Sequence, residues 1–188
     1  LELKWVLQNQ VFGAWQSNPI IVDGVMYVTE RPNSVMAVDA VTGRVYWKYR
    51  HQNADNALVC CGANNRGVAV LNDKVYMGTL DAHLVALDRV NGQLLWEAEV
   101  GDVNLAYSVT MAPLAVKDKI LVGVGGGEFG IRGYVAAFNA ETGEQAWKTY
   151  TIPGPGEANH DSWEGDDWEH GGAPVWITGS FDSDLNLT

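Results

Sequence analysis

The sequence predicts an all-β fold built from repeated four-stranded antiparallel units. Three observations lead there. The segment Ala37-Val38-Asp39-Ala40-Val41-Thr42-Gly43-Arg44-Val45-Tyr46-Trp47 returns at Ala86–Trp96 and again at Ala137–Trp147, with Trp-to-Trp spacings of 49 and 51 residues. A second β-branched hairpin pattern precedes each copy, at 19–28, 67–78 and 112–123. Glycine (21) and tryptophan (8) are both plentiful, as a chain of tight turns and aromatic packing requires.

Each unit reads in order as two hairpins. The first joins short apolar runs at Asp23-Gly24, Asn72-Asp73 or Lys117-Asp118. The second turns at Gly43, Gly92 or Gly143, where glycine accepts positive φ without a Cβ penalty. Two hairpins in about 50 residues make one blade of a β-propeller. A lone blade cannot cover both its faces, so neighbours must stack. Trp47, Trp96 and Trp147 recur at one blade position and are expected to pack between blades. Lys4-Trp5-Val6-Leu7 resembles the last strand of an earlier blade, and Gly172–Ile177 the opening of a later one. Residues 1–188 therefore read as a partial propeller domain, about three blades with partial blades at both ends, cut from a larger ring.

Charge narrows the function. Twelve basic against 23 acidic residues give a formal net charge of −11. No basic stripe is present to neutralise phosphates, which argues against nucleic acid and against an anionic membrane surface. No apolar run has the ~18 residues a transmembrane helix needs.

The candidate chemistry lies in the long connections. Residues 50–66 hold the only two cysteines, Cys60 and Cys61, as neighbours. Adjacent sulfurs cannot chelate zinc jointly as C-x-x-C does. Two readings stay open: a reduced buried pair, or a disulfide between neighbours. Consecutive Cα atoms lie about 3.8 Å apart, below the roughly 4.4–6.8 Å of ordinary disulfides. Such a ring would staple nothing distant; its use would be local, as a flat, hard sulfur surface. A second connection, Gly123 to Tyr134, is glycine-rich around an isolated carboxylate, Glu128. Gly125, Gly127 and Gly130 have the G-x-G-x-x-G form, but no helix pattern follows, so a dinucleotide site is not indicated. The acidic run Glu164–Glu169 lacks calcium-loop spacing and reads as a solvated loop. His51, His83, His160 and His170 show neither metal spacing nor a nucleophile partner and read as ordinary. There is no G-x-S-x-G elbow.

Taken together, these residues resemble the pyrroloquinoline quinone (PQQ)-dependent alcohol dehydrogenases, whose catalytic subunit is an eight-bladed propeller. The resemblance rests on Cys60-Cys61 with Asn65-Arg66-Gly67, on Gly78-Thr79-Leu80-Asp81, and on Gly126 through Gly133. Tyr150–Gly154 and Gly171–Thr188 add to it.

The resemblance implies roles. Cys60-Cys61 would form a disulfide ring against one face of the quinone, with Trp176 stacked on the other. Arg66 would pair with a PQQ carboxylate, and Thr110 with Gly125, Gly126 and Gly127 would line the cofactor. Glu128 would ligate Ca²⁺ or a lanthanide through oxygen. One contact departs from the family pattern, since Gln16 stands where a glutamate is usual. The implied activity is oxidation of primary alcohols to aldehydes, with electrons passing through the quinone to a cytochrome c or similar acceptor. The family's catalytic Asp, a metal-binding Asn and a second cofactor Arg are expected beyond Thr188, so this stretch alone should not turn over. A persistent disulfide needs an oxidising compartment, which points to the periplasm. The rival reading is a non-catalytic propeller serving as a protein-binding scaffold of the cell envelope.

Overall fold

The computed structural model describes residues 1–188. Twelve strands form three four-stranded antiparallel sheets, each ordered as in the chain. The first blade is β1 (Ile20–Val22), β2 (Val25–Glu30), β3 (Ser34–Asp39) and β4 (Val45–Arg50). The second is β5 (Ala69–Leu71), β6 (Lys74–Gly78), β7 (His83–Asp88) and β8 (Leu94–Glu99). The third is β9 (Leu114–Val116), β10 (Lys119–Gly123), β11 (Tyr134–Asn139) and β12 (Gln145–Tyr150). No helix is long and apolar enough to cross a membrane.

The predicted turns carry the backbone that their residues allow. Asp23 and Gly24 have φ of 51° and 76°, the paired positive angles of a tight hairpin turn. In the second hairpins, Asp39 accepts hydrogen bonds from the amides of Val41 and Thr42, and Asp88 and Asn139 do the same in their blades. A register shift falls at the same place in each blade, at Ala37/Val38, Ala86/Leu87 and Ala137/Phe138. Such irregularities increase the local twist of a sheet.

Blades are joined by one repeated contact. The indole of Trp47 lies on Gly92 of the next blade and donates to the Arg89 carbonyl at 3.0 Å. Trp96 lies on Gly143 and donates to the Ala140 carbonyl at 3.2 Å. A Cβ on Gly92 or Gly143 would stand 2.5 or 2.7 Å from the ring. Tyr27 and Tyr76 pack against Trp47 and Trp96 with ring centroids 6.0 and 5.8 Å apart. Apolar clusters fill both blade interfaces, Val35, Val75 and Met77 in one and Leu84, Ile120 and Phe138 in the other. Inter-blade packing by Trp47 and Trp96 is thus as the sequence predicts, whereas Trp147 is exposed and makes no such contact.

Lys4–Leu7 and Gly172–Ile177 differ from expectation, because neither segment lies in a strand. Residues 172–177 bond only at isolated points to the β10–β11 connection, through Gly172 and Val175, which is too little to make a strand. The side chain of Trp5 nevertheless makes the repeated contact, lying on Gly43 and donating to the Ala40 carbonyl at 3.1 Å.

Short turns, β1–β2 and β3–β4 and their counterparts, lie at one end of the blades. The long connections 51–68, 100–113 and 124–133 leave from the other end. Chemistry-bearing residues scattered through the sequence therefore meet on one face.

Candidate functional site

A cleft of about 200 Å³ opens on that face, and its walls come from several connections. Val59–Gly62, Asn64 and Arg66 come from the link between the first two blades, Ser108 and Thr110 from the next link. Gly125, Gly126 and Glu128 come from the β10–β11 connection, and Pro174 and Trp176 from the segment after β12.

The sulfur wall is a bonded pair. Cys60 and Cys61 form a disulfide across Cα atoms 3.8 Å apart, which decides between the two readings that the sequence left open. Cys61 and Gly62 have φ of 65° and 91°, so the chain reverses there and presents the sulfurs to the cleft. The reversal is held from behind. Asn64 donates its amide to the Cys61 carbonyl at 3.0 Å, and Arg31 donates Nε–H to the Ala63 carbonyl at 3.0 Å. Asn65 is buried, donates to the Gly78 carbonyl at 2.8 Å and accepts from the Gly67 amide at 3.1 Å. Both ends of the Asn65 amide thereby find partners, as burial of polar groups demands, whereas Asn64 Oδ1 is buried without one.

Arg66 follows directly. Its backbone N–H and its Nη1 both donate to the Thr110 carbonyl, at 3.1 and 3.2 Å. The guanidinium carbon lies 4.8 Å from the centre of the Trp176 ring, within cation–π range. Burial lowers the Arg66 pKa, since desolvation disfavours the charged form. A guanidinium stays charged even so, leaving one fixed positive group in the cleft.

The glycine-rich connection is shaped by close approach. Gly125 exchanges backbone hydrogen bonds with Ser108, its N–H donating at 2.8 Å. Gly126 has φ of 112°, and a Cβ there would stand 2.3 Å from the Ala106 carbonyl oxygen. Gly127 is pressed on Pro174, which a Cβ would meet at 2.8 Å. Residues Gly127–Phe129 then make a single 3₁₀ turn that carries Glu128 into the cleft. A carboxylate oxygen of Glu128 and the two sulfurs lie within 4.8 Å of one another. Glu128 is the sole carboxylate lining the cleft, and Arg66 the sole cation.

Eight of the nine site residues predicted from sequence line this cleft: Cys60, Cys61, Arg66, Thr110, Gly125, Gly126, Glu128 and Trp176. Gly127 does not; it sits behind the wall, where it lets Pro174 pack closely. Sequence reasoning missed Val59, Gly62, Asn64, Ser108 and Pro174 as lining residues. Asn64 and Ser108 each lie two residues from a predicted position, so adjacency was the available signal.

The long excursion after Ile152 is more than a solvated loop. Arg132 donates Nε and Nη2 to the Ile152 carbonyl at 3.0 and 2.6 Å and stacks on Tyr150 and Trp168 at 3.8 and 4.7 Å. It so ties the start of the excursion at Ile152 to Trp168 near its end, while the carboxylates of Glu164, Asp166, Asp167 and Glu169 stay exposed.

Comparison with known proteins agrees with this architecture. Residues 6–188 match the family model described as PQQ, glucose/ethanol/alcohol dehydrogenase, beta-propeller domain. The chain is 38% identical over 200 residues to quinohemoprotein alcohol dehydrogenase ADH IIB of Pseudomonas putida, covering all of this chain and 29% of that protein. Identity to the quinoprotein alcohol dehydrogenase PedH of the same species is 41% over 189 residues, covering 92% of this chain and 32% of that one. Among solved structures, a europium-containing methanol dehydrogenase superposes with a TM-score of 0.90 at 35% identity, over 98% of this chain and 36% of that one. The chain thus spans about a third of the length of the relatives it matches. A match across almost the full chain, on the propeller fold read from its repeats, shows that the protein belongs to the PQQ-dependent glucose/ethanol/alcohol dehydrogenase β-propeller family.

Proposed function

We propose that this chain supplies one wall of the quinone site of a PQQ-dependent alcohol dehydrogenase that oxidises primary alcohols to aldehydes. The observation that carries the reading is the meeting of four different groups in one cleft: the Cys60–Cys61 disulfide, Trp176, Arg66 and Glu128. The donor set suits a flat polyanion with a hard cation. Sulfur ring and indole offer flat apolar surfaces, and Arg66 offers a forked donor for a carboxylate. Glu128 offers a carboxylate oxygen of the kind Ca²⁺ or a lanthanide takes, with the Ser108 and Thr110 hydroxyls as neutral oxygens nearby.

When bound, the quinone supplies the two-electron acceptor, and the metal polarises it. The protein residues have simpler tasks. Cys60–Cys61 and Trp176 hold a planar group between them and exclude water from its faces. Arg66 fixes the orientation of that group through charge, while its own position is set by the Thr110 carbonyl. Glu128 would hold the metal through its carboxylate. Thr110, Gly125 and Gly126 complete the wall through hydroxyl and backbone groups, and Gly127 supports it from behind. No residue of the cleft is assigned as the base that takes the alcohol proton. A cytochrome c or similar acceptor would then take the electrons, and a persistent disulfide favours an oxidising compartment, which supports the periplasm.

The scaffold reading accounts for the repeated blades but gives no task to a disulfide, a cation and a carboxylate in one cleft. The test uses the full-length protein: ethanol oxidation with an artificial electron acceptor after reconstitution with PQQ and either Ca²⁺ or La³⁺. Activity that disappears in Cys60→Ser/Cys61→Ser and in Glu128→Ala is the expected result. A folded protein that binds no PQQ with either metal would overturn the reading in favour of the scaffold.

A further inference from the structure

A second cluster of ligating side chains lies outside the quinone cleft. His51, at the end of the first blade, points Nε2 at both carboxylate oxygens of Asp81, at 3.0 Å each. His83, which opens β7, places Nδ1 3.7 Å from Asp81 Oδ1. All the ligating atoms lie within 4.8 Å of one another. His51 and Asp81 are buried, while the His83 side chain keeps 28% exposure. None of the three lines the cleft described above.

His83 Nδ1 is buried and has no hydrogen-bond partner. Its distance to Asp81 is too long for a hydrogen bond. On the other side of the ring, Nε2 lies 3.9 Å from Glu97 Oε1, also beyond hydrogen-bond distance, so that Glu97 acts there through its charge. In the tautomer that carries its proton on Nε2, His83 would turn an Nδ1 lone pair towards the Asp81 carboxylate, and a cation between the two would satisfy both. Zinc bonds of about 2.0–2.1 Å in a tetrahedron put neighbouring ligand atoms roughly 3.3 Å apart. The separations of 3.0 and 3.7 Å bracket that edge.

We propose that His51 Nε2, Asp81 and His83 Nδ1 form a binding site for a divalent transition cation of the zinc class. Two imidazoles and one carboxylate suit zinc, copper or nickel and not the oxygen-seeking Ca²⁺ or lanthanides, so the site is chemically separate from the one assigned to Glu128. The cation displaces the proton shared between His51 Nε2 and Asp81, and the partly exposed His83 ring is the side from which it enters. Asp81 keeps its bonds from Thr79 Oγ1 at 2.6 Å and the Ala54 amide at 2.9 Å, which orient the carboxylate. The bound ion ties the end of β4, the β6–β7 connection and the start of the segment leading to Cys60.

Calorimetric titration of the full-length protein, already saturated with Ca²⁺, with Zn²⁺ and separately with Cu²⁺ tests the site. Wild type should bind one equivalent. His83→Gln should weaken binding at least about tenfold, and Glu97→Gln by a smaller factor, with the fold intact by circular dichroism. Cu²⁺ bound to wild type should show electron-spin coupling to two imidazole nitrogens, reduced to one in His83→Gln. Absence of binding by both metals overturns the proposal, as does binding that His83→Gln leaves unchanged. These readouts do not depend on alcohol oxidation, so failure here leaves the quinone reading standing.

Discussion

The guanidinium of Arg66 covers the indole of Trp176, with its central carbon 4.8 Å from the ring centre. Two residues 110 positions apart (176 − 66) thus form one surface of the cleft. A planar trianion entering the cleft would meet both, stacking on the ring and pairing with the cation. PQQ should therefore quench tryptophan fluorescence in the full-length protein, with the quench much reduced in Trp176→Phe. Arg66→Lys keeps the charge but loses the fork, and should raise the Kd read from the same titration at least about tenfold. An unchanged Kd would show that Arg66 does not touch the cofactor.

Gly126→Ala tests whether backbone shape places the carboxylate. The residue sits at φ of 112°, and a Cβ would stand 2.3 Å from the Ala106 oxygen. Left-handed backbone alone costs a non-glycine residue about 1–2 kcal/mol, and the clash forces the Glu128 turn to move. The variant should melt several degrees lower and need more Ca²⁺ for half-maximal activity. Restored activity at high Ca²⁺ would separate a misplaced ligand from a misfolded protein.

Trp147 repeats the position of Trp47 and Trp96 without their cover, at 43% exposure against 9% for Trp47. The repeat rule predicts that, in the full-length protein, a further turn glycine and carbonyl lie on this indole. Trp147→Ala should then cost about 3–5 kcal/mol in chemical denaturation, as expected also for Trp96→Ala. A cost well below that of Trp96→Ala would show that no blade docks there.

The fold was legible because its rules are local. The Asp/Asn-x-x-x-Gly turn and the following tryptophan recur in register, and each repeat states its hairpins in full. The cleft was legible in part. Cys60, Cys61 and Arg66 advertise themselves by rarity and adjacency, but Asn64 and Ser108 are common residue types whose role depends on which loops meet. The histidines show the limit best. His51 and His83 are 32 residues apart (83 − 51) and appear unrelated in sequence. They meet because blade stacking brings the end of β4 against the β6–β7 connection, with Asp81 between them. The sequence reading of all four histidines as ordinary does not foresee this meeting of His51 and His83 at Asp81. His160 and His170 do keep to backbone carbonyls, those of Pro153 and Gly130.

Asp39 offers a test of the turn itself, with a sign set by its ionisation. Its carboxyl accepts from the Tyr46 hydroxyl at 2.7 Å and from the Thr42 and Val41 amides at 2.8 and 2.9 Å. Those bonds, the one from Tyr46 first, lower its pKa to about 2. A carboxyl depressed in the folded state adds stability above its unfolded value, near 3.9, and loses it as pH falls towards the folded value. Asn139 fills the equivalent place in the third blade and accepts the same two amide bonds while uncharged. Asp39→Asn should therefore keep the turn near pH 7, with a Tm close to that of wild type. As pH falls from 4 towards 2 the ionisation of Asp39 separates the two proteins less and less, and any neutral-pH advantage of wild type should shrink. Asp39→Ala removes the acceptor altogether and should melt below both at neutral pH. Melting curves of the three proteins across that range provide the check, and a wild-type advantage that grows on acidification would contradict the assigned role.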